Sequence, residues 1–383
     1  MVIRKYFIDP FRELSETGKL SGILLICATI LSISLSNSKF ASSYIQIWHL
    51  NLGFGFLHNS VEYWVNDGLM VIFFFLVGLE IKRELSVGEL SNRKQALLPI
   101  IAALGGIITP AAIYILFNIH SVQNLHGWAI PTATDIAFSL AILSLMGERV
   151  PVSLKIFLTA LAIIDDLGAI LIIAFFYTTS LHIDKLCYAG LIIIGLLIMN
   201  RSHVKQVSLY LIAGLGLWYL IVESGIHPTI SGVLLAFLIP GELSGKVEHA
   251  LHKPVNYIIL PLFALANTAI PLEMQSARMA FSGVSLGIAC GLFFGKPMGI
   301  MLFSFLGVKS GWAGLPAKAT WRMMASMGLI AGVGFTMSIF IASLSSFDQA
   351  TLNLAKLAII LGSILAAVAG YLAFPARKIA ASE

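Results

Sequence analysis

Long apolar runs separated by short polar segments dominate the chain. A membrane-crossing helix needs about 20 apolar residues to pass a ~30 Å hydrocarbon core. Runs of that order occur near residues 20–36, 60–81, 96–117, 126–146, 154–177, 183–199, 207–222, 226–240, 254–271, 282–306, 326–344 and 354–374. The pattern predicts an all-α polytopic membrane protein with twelve transmembrane helices, residues 1–383 forming one integral membrane domain. One segment departs from it. Between the first two spans, Ile45, Ile47, Leu50, Leu52, Phe54 and Phe56 nearly alternate with polar residues and glycines, which reads as a short β-hairpin on the periplasmic side. An irregular loop is the alternative. A small hairpin is marginal alone, so pairing with a second copy, giving a homodimer, is its expected support.

Composition agrees with the pattern: of 383 residues, 58% are hydrophobic and 11% charged, which leaves no room for a sizeable soluble domain. The first apolar run ends in Ser36-Asn37-Ser38 without a small-residue cleavage site, so it reads as a span and not a removed signal. The net charge of +5 would suit nucleic acid if the basic residues formed a patch, but they do not. With the N-terminus in the cytoplasm, nineteen Lys and Arg fall on that side and four on the other, with Lys296 inside a span. This is the positive-inside asymmetry, and it places both termini in the cytoplasm and leaves no nucleic-acid partner. Cys27, Cys187 and Cys290 have no metal-binding spacing and read as packing residues.

Against this apolar background Asp165 and Asp166 stand side by side in a run from Ile156 to Tyr177 that is otherwise uncharged. One aspartate at the centre of a membrane helix costs roughly 2.5–3.5 kcal/mol on insertion scales, and an adjacent pair opposes its own ionisation. Cation binding and proton carriage are the uses that justify such a pair. Three other features fall at the same depth: Asp135 in span four, Lys296 in span ten and Gly334-Phe335-Thr336 in span eleven. Secondary transporters build sites at that depth. Span four carries Pro131, which removes a helix hydrogen bond, with Thr132 and Thr134 placed to take up freed backbone groups. Span eleven carries Gly328, Gly332 and Gly334, a weak helix that unwinds easily or, alternatively, a close-packing face. Spans three to five and ten to twelve run in opposite directions, as an inverted-topology repeat requires. Neighbouring helix residues point about 100° apart, so Asp165 and Asp166 divide their roles: one faces a cation and water, the other Lys296.

The segments Ile163-Ile164-Asp165-Asp166-Leu167-Gly168-Ala169-Ile170, Pro131-Thr132-Ala133-Thr134-Asp135-Ile136-Ala137-Phe138, Gly295-Lys296-Pro297, Gly334-Phe335-Thr336-Met337-Ser338-Ile339-Phe340 and Val77-Gly78-Leu79-Glu80-Ile81-Lys82-Arg83-Glu84-Leu85 together resemble the NhaA family of sodium/proton antiporters, over nearly the whole chain. That family is itself an example of inverted repeats and broken helices in the general rule. The resemblance implies two crossing discontinuous helices, spans four and eleven, in a multi-pass protein of the bacterial inner membrane. It implies export of Na+ or Li+ against entry of H+, with no cofactor and no enzymatic activity. By position, Asp166 resembles the principal cation ligand with Asp165 beside it, Asp165 the partner of Lys296, and Asp135, next to Thr134, the charge-compensating residue at the crossing. Spans three to five and ten to twelve would form the core repeats, and spans one, two and six to nine the interface side, among membrane lipid.

The resemblance also implies pH activation through Glu80, Arg83 and Glu84 at the end of span two and Glu248, His249 and His252 before span nine, where solvated loop charge is the alternative. His227 is similar to a family residue that affects pH response, and a hydrogen-bonded helix-terminal histidine is the competing reading. Asp67 either lines the external route or caps packing. Among rival functions, an intramembrane aspartyl protease needs carboxylates facing each other from separate helices, which adjacent aspartates do not supply. A sodium-coupled symporter needs a solute pocket, and no aromatic or arginine cluster stands beside the aspartates to make one. A channel would be slowed by so strong a ligand pair.

Overall fold

The computed structural model describes residues 9–53, 58–178, 181–272 and 281–375. Helix dominates them, as backbone without water to bond requires. Helix α1 (Asp9–Ser36) is followed by the short α2 (Ala41–His49), and the two are bent by 115°. The predicted hairpin is smaller than expected. Ile45 and Ile47 lie in α2, because Tyr44 and Trp48, one turn apart, stack edge-on at 5.9 Å and Tyr44 Oη reaches Ser32 Oγ (2.9 Å) and the Leu265 carbonyl (3.1 Å). Those i,i+4 and tertiary contacts outweigh a two-residue alternation. What remains is β1 (Asn51–Leu52) antiparallel to β2 (Asn59–Ser60), Asn51 opposite Ser60 and Leu52 opposite Asn59. Phe54 and Phe56 lie outside the described residues.

Eight described helices are long and apolar enough to cross a membrane, or ten when each bent pair counts as one span. The eight are α3 (Val61–Ser86), α4 (Arg93–Asn118), the segment Val122–Arg149 containing α5 (Ile136–Met146), α6 (Val152–Phe176), α7 (Ile183–Arg201), α8 (Val207–Ser224), and two later helices. Next in the chain, α9 (Thr229–Leu238) is apolar but has only ten residues. It is followed by α10 (Gly241–Pro254), which is charged and continues through a π-helical turn into α11 (Leu260–Asn267). Then come the two remaining long helices, α12 (Gly283–Lys309) and, last in the chain, Gln349–Ala373, with the bent pair Trp321–Ala331 (α13) and Phe335–Leu344 (α14) between them; Gln349–Ala373 is α15. Twelve is thus not reached by length and apolarity. The eighth predicted run is too short, and the ninth lies on a helix that opens with charged turns. Cys27 and Cys187 are exposed on helix surfaces and not packed in a core.

The chain divides into two compact units: Met1–Ile23, Asn92–Asp166 and Glu273–Glu383 in one, Leu24–Ser91 and Leu167–Leu272 in the other. In the first, α4 and α12 pack backbone to backbone. Gly283, Gly287, Gly291, Gly295 and Gly299 recur every fourth residue of α12, and a Cβ on any of them would press on Asn118, Tyr114, Pro131, Pro110 or Gly105. A small-residue face of this kind lets membrane helices approach closely. In the second unit, α9 packs on α3, with Gly232 against the backbone of Val71 and Phe75 and Gly78 against Ala236. Leu79, Leu196, Tyr210, Leu217 and Ile239 form its buried core.

Candidate functional site

Span four breaks where the sequence carries its proline. A single 3-10 turn, Ile130–Thr132, carries Pro131 as its second residue, Ala133 and Asp135 are extended, and α5 begins at Ile136. Span eleven breaks between α13 and α14 at Gly332–Gly334, with a bend of 44°. The breaks touch each other. The Asp135 amide donates to the Val333 carbonyl at 2.7 Å. Asp135 Oδ1 accepts from the Phe138 amide (2.9 Å), capping α5, while Oδ2 accepts from the Thr336 amide (3.0 Å) and hydroxyl (2.5 Å), at the start of α14. One carboxylate therefore meets the positive ends of two half-helices, where a helix terminus leaves amides without internal partners. The Phe335 amide is taken by Ser363 Oγ of α15 at 3.2 Å.

Asp165 and Asp166 lie near the middle of α6, each 1% exposed. Lys296 Nζ stands 2.7 Å from Asp165 Oδ2, and this ammonium also donates to the Thr132 carbonyl at the end of the broken turn. Lys296 is fully buried. A π-helical turn, Gly291–Gly295, delivers it. Pro297 follows, and a proline ring conflicts with the carbonyl four residues back; the widened turn makes room for that. Thr134 Oγ1 lies 2.6 Å from Asp165 Oδ2 and 2.9 Å from the Ala331 carbonyl. A hydroxyl has one proton, so it donates to one of them at a time. Asp165 Oδ1 is buried without a hydrogen-bond partner among the described groups. Thr134, Asp165 and Lys296 are thus linked by direct hydrogen bonds, with Asp166 next to Asp165 and Asp135 next to Thr134 in the chain.

The second unit holds two further clusters. Arg83 Nη1 bonds Glu248, and Nη2 bonds Glu84 at 3.0 Å. His252 Nε2 stands 3.5 Å from Glu80 and 3.6 Å from Glu248. Burial works against a charged His252, but the hydrogen bond to Glu248 and the charge on Glu80 outweigh it, and its pKa is raised above the ordinary 6.5. Glu80, Glu248 and His252 offer metal-type ligand atoms within 4.8 Å of one another, though the Arg83 guanidinium already compensates Glu248. His249 is exposed, and no described hydrogen bond or ion pair ties it to the cluster. In the other cluster, His227 Nε2 lies 3.2 Å from Asp67 Oδ1, and its Nδ1 is 2.8 Å from Thr229 Oγ1. Trp218 Nε1 donates to the Asp67 carbonyl at 3.2 Å.

Sequence reasoning named Thr336 only as part of the feature at the second break, without a role, and did not place Ser338, Ser139 or Ser363 in the site. Thr336 had a signal, since it follows the glycine break directly. The serines had none, because an isolated serine in an apolar helix ordinarily bonds its own preceding turn.

The family model for Na+/H+ antiporter 1 matches residues 12–374. The chain is 50% identical to the Na+/H+ antiporter NhaA of Flavobacterium psychrophilum over 367 residues, 94% of each chain. It is 49% identical to Na+/H+ antiporter NhaA 2 of Flavobacterium johnsoniae over 378 residues, 96% of this chain and 92% of the relative. With the Na+/H+ antiporter NhaA of Aliivibrio salmonicida, identity is 47% over 381 residues, 95% of this chain and 96% of the relative. A likeness of this extent, joined to the multiple apolar helices, makes the chain a multi-pass membrane protein belonging to the Na+/H+ antiporter 1 family.

Proposed function

We propose that this protein exchanges Na+ or Li+ from the cytoplasm for external protons across a bacterial inner membrane. It carries more than one proton per cation and is faster at alkaline pH. The observation that carries this reading is the buried cluster of Asp135, Asp165 and Asp166 with Lys296. With all four ionised, three carboxylates are set against one ammonium. Uncompensated buried charge is costly, so the balance must come from protons or from a cation on the same oxygens. Sodium is a hard ion that takes oxygen ligands. Asp166, Asp165 with its free Oδ1, and the Thr134 hydroxyl offer them, and Asp135 and Lys296 compensate the half-helix ends. Competition between protons and sodium for one set of oxygens is the exchange, and it needs no further cofactor. If two protons leave for each cation that enters, net charge moves and the membrane potential drives the cycle, at ~2.3 kcal/mol per charge per 100 mV.

The lysine and arginine asymmetry supports twelve spans with both termini in the cytoplasm. In that reading α9 and the helix from residue 254 through α11 complete the count, spans three to five and ten to twelve are inverted repeats, and the β1–β2 hairpin supports a homodimer. Glu80, Arg83, Glu84, Glu248 and His252 are the pH-responsive groups on the cytoplasmic side, with exposed His249 beside them, and His227 with Asp67 on the external side.

Energised everted vesicles, given Na+, Li+ or K+ between about pH 6 and 9, test the central reading. Sodium and lithium should dissipate the pH gradient in vesicles with the unsubstituted protein and not in those with inserted Asp166→Asn. A response that survives the substitution removes Asp166 from the site. Silence from inserted unsubstituted protein at every pH removes the antiport.

A further inference from the structure

A broken helix frees carbonyls that must find donors when buried. Two carbonyls at the breaks, Ile130 in the turn at the first and Ile330 before the second, each take a serine hydroxyl, Ile330 in addition to the Val333 amide at 3.1 Å. Ser338 Oγ, from α14, donates to the Ile130 carbonyl at 2.7 Å. Ser139 Oγ, from α5, donates to the Ile330 carbonyl at 3.3 Å. Each serine stands four residues past its own helix cap, and its amide bonds the carbonyl of that cap: Ser139 to Asp135 at 3.0 Å and Ser338 to Gly334 at 2.8 Å. The two serines are 1% and 0% exposed.

We propose that Ser139 and Ser338 form a reciprocal clasp that sets the separation of the two breaks, making both serines positioning residues for the cation site. Hydroxyls in helices ordinarily bond the carbonyl one turn back. Thr159, Ser343 and Thr268 do so here. Ser139 and Ser338 instead reach across, each from the helix after one break to the carbonyl before the other. Between the two crossings lie Asp135, whose oxygens hold both half-helices, and Thr134, which bonds Asp165 and Ala331. Neither serine bonds Asp165 or Lys296, so each acts through the placement of Asp135 and Thr134. A cation that must find both breaks in register pays in affinity when either crossing is lost.

This inference rests on the antiport reading, and its test separates the two. Full-length Ser139→Ala, Ser338→Ala and the double variant are reconstituted in proteoliposomes, with Ser338→Cys as a volume-keeping substitute should an alanine variant fail to insert. Apparent KM for Na+ and maximal rate are measured, with amide hydrogen exchange at residues 129–136 and 330–336 in the same preparations. Each single variant should raise KM about five-fold, the factor of one ordinary hydrogen bond, with a smaller change in rate. The double variant should fall short of the product of the singles, because half a clasp already fails. Exchange should quicken at both breaks in each single variant. An unchanged KM, a double effect equal to the product, or faster exchange at one break alone overturns the clasp. Joint loss of protection in a protein whose unsubstituted form moves no Na+ against H+ keeps the clasp and removes the antiport.

Discussion

Asp135 and His252 make different use of burial. Asp135 gives each of its oxygens to a different helix end, so its role is tied to backbone that cannot shift without orphaning amides. His252 is tied only to side chains: Glu80 and Glu248, with Arg83 also acting on it electrostatically. Because the folded pKa of His252 is raised, its contribution to stability is fully present below pH 6.5, the ordinary value, and is lost as pH rises through the folded value. His252→Gln should therefore lower stability by about 1 kcal/mol at acidic pH, the order of one ordinary hydrogen bond. The difference from unsubstituted protein should vanish at alkaline pH. Thermal unfolding in detergent, followed across that range, checks it. A deficit that grows with pH would mean that the imidazole packs neutral between the carboxylates.

At the scale of elements, the contact between α4 and α12 is a backbone contact, and its glycines are its specification. A methyl on Gly299 would overlap the Gly105 carbonyl, and one on Gly295 would come within 2.8 Å of Pro110 Cα. Backbone cannot rotate aside, so Gly299→Ala should cost ~1–3 kcal/mol or more, the range of overpacked cores. It should also displace Lys296, which begins its helical segment one turn earlier. Gly195 of α7 has nothing within 4 Å of an added Cβ, and alanine there should be neutral or stabilising by up to about 1 kcal/mol from helix propensity. Paired melting curves of the two variants test the stripe. Equal melting temperatures would mean that the helices can separate without loss. The breaks in spans four and eleven follow the same logic in reverse, since there the side chains of Asp135, Thr134, Thr336 and Ser363 replace the helix's own bonds.

At the scale of the whole molecule, the proposed orientation rests on the asymmetry of lysine and arginine and not on any single contact. In a variant whose three cysteines are replaced, a cysteine at Ser91 should react with an impermeant reagent only from the cytoplasmic side, and one at Gln123 only from outside. Both positions are exposed, one on each side of α4. Labelling of both from one face would mean that α4 does not cross, and would overturn the twelve-span arrangement downstream of it.

Much of this was legible in the chain itself. A run of about 20 apolar residues reads as a helix where the solvent offers no hydrogen bonds, so most of the long helices and the cost of burying Asp165, Asp166, Asp135 and Lys296 among apolar neighbours follow from residue order alone. Pro131 and the glycines near 334 marked the breaks for the same local reason. Neighbour relations were not legible. That Lys296 bonds both Asp165 and the Thr132 carbonyl, that Asp135 serves two helices, that Ser139 and Ser338 cross over while Thr159 bonds its own preceding turn, and that His249 stays outside the cluster of Glu80, Glu248 and His252 all depend on which helices lie side by side. The segment with Ile45 and Ile47 failed for that reason too: its alternation was real, but Tyr44 found partners in Ser32 and Leu265 that only the folded chain supplies. Local pattern sets what a segment costs to bury, and tertiary structure decides which partner offsets that cost.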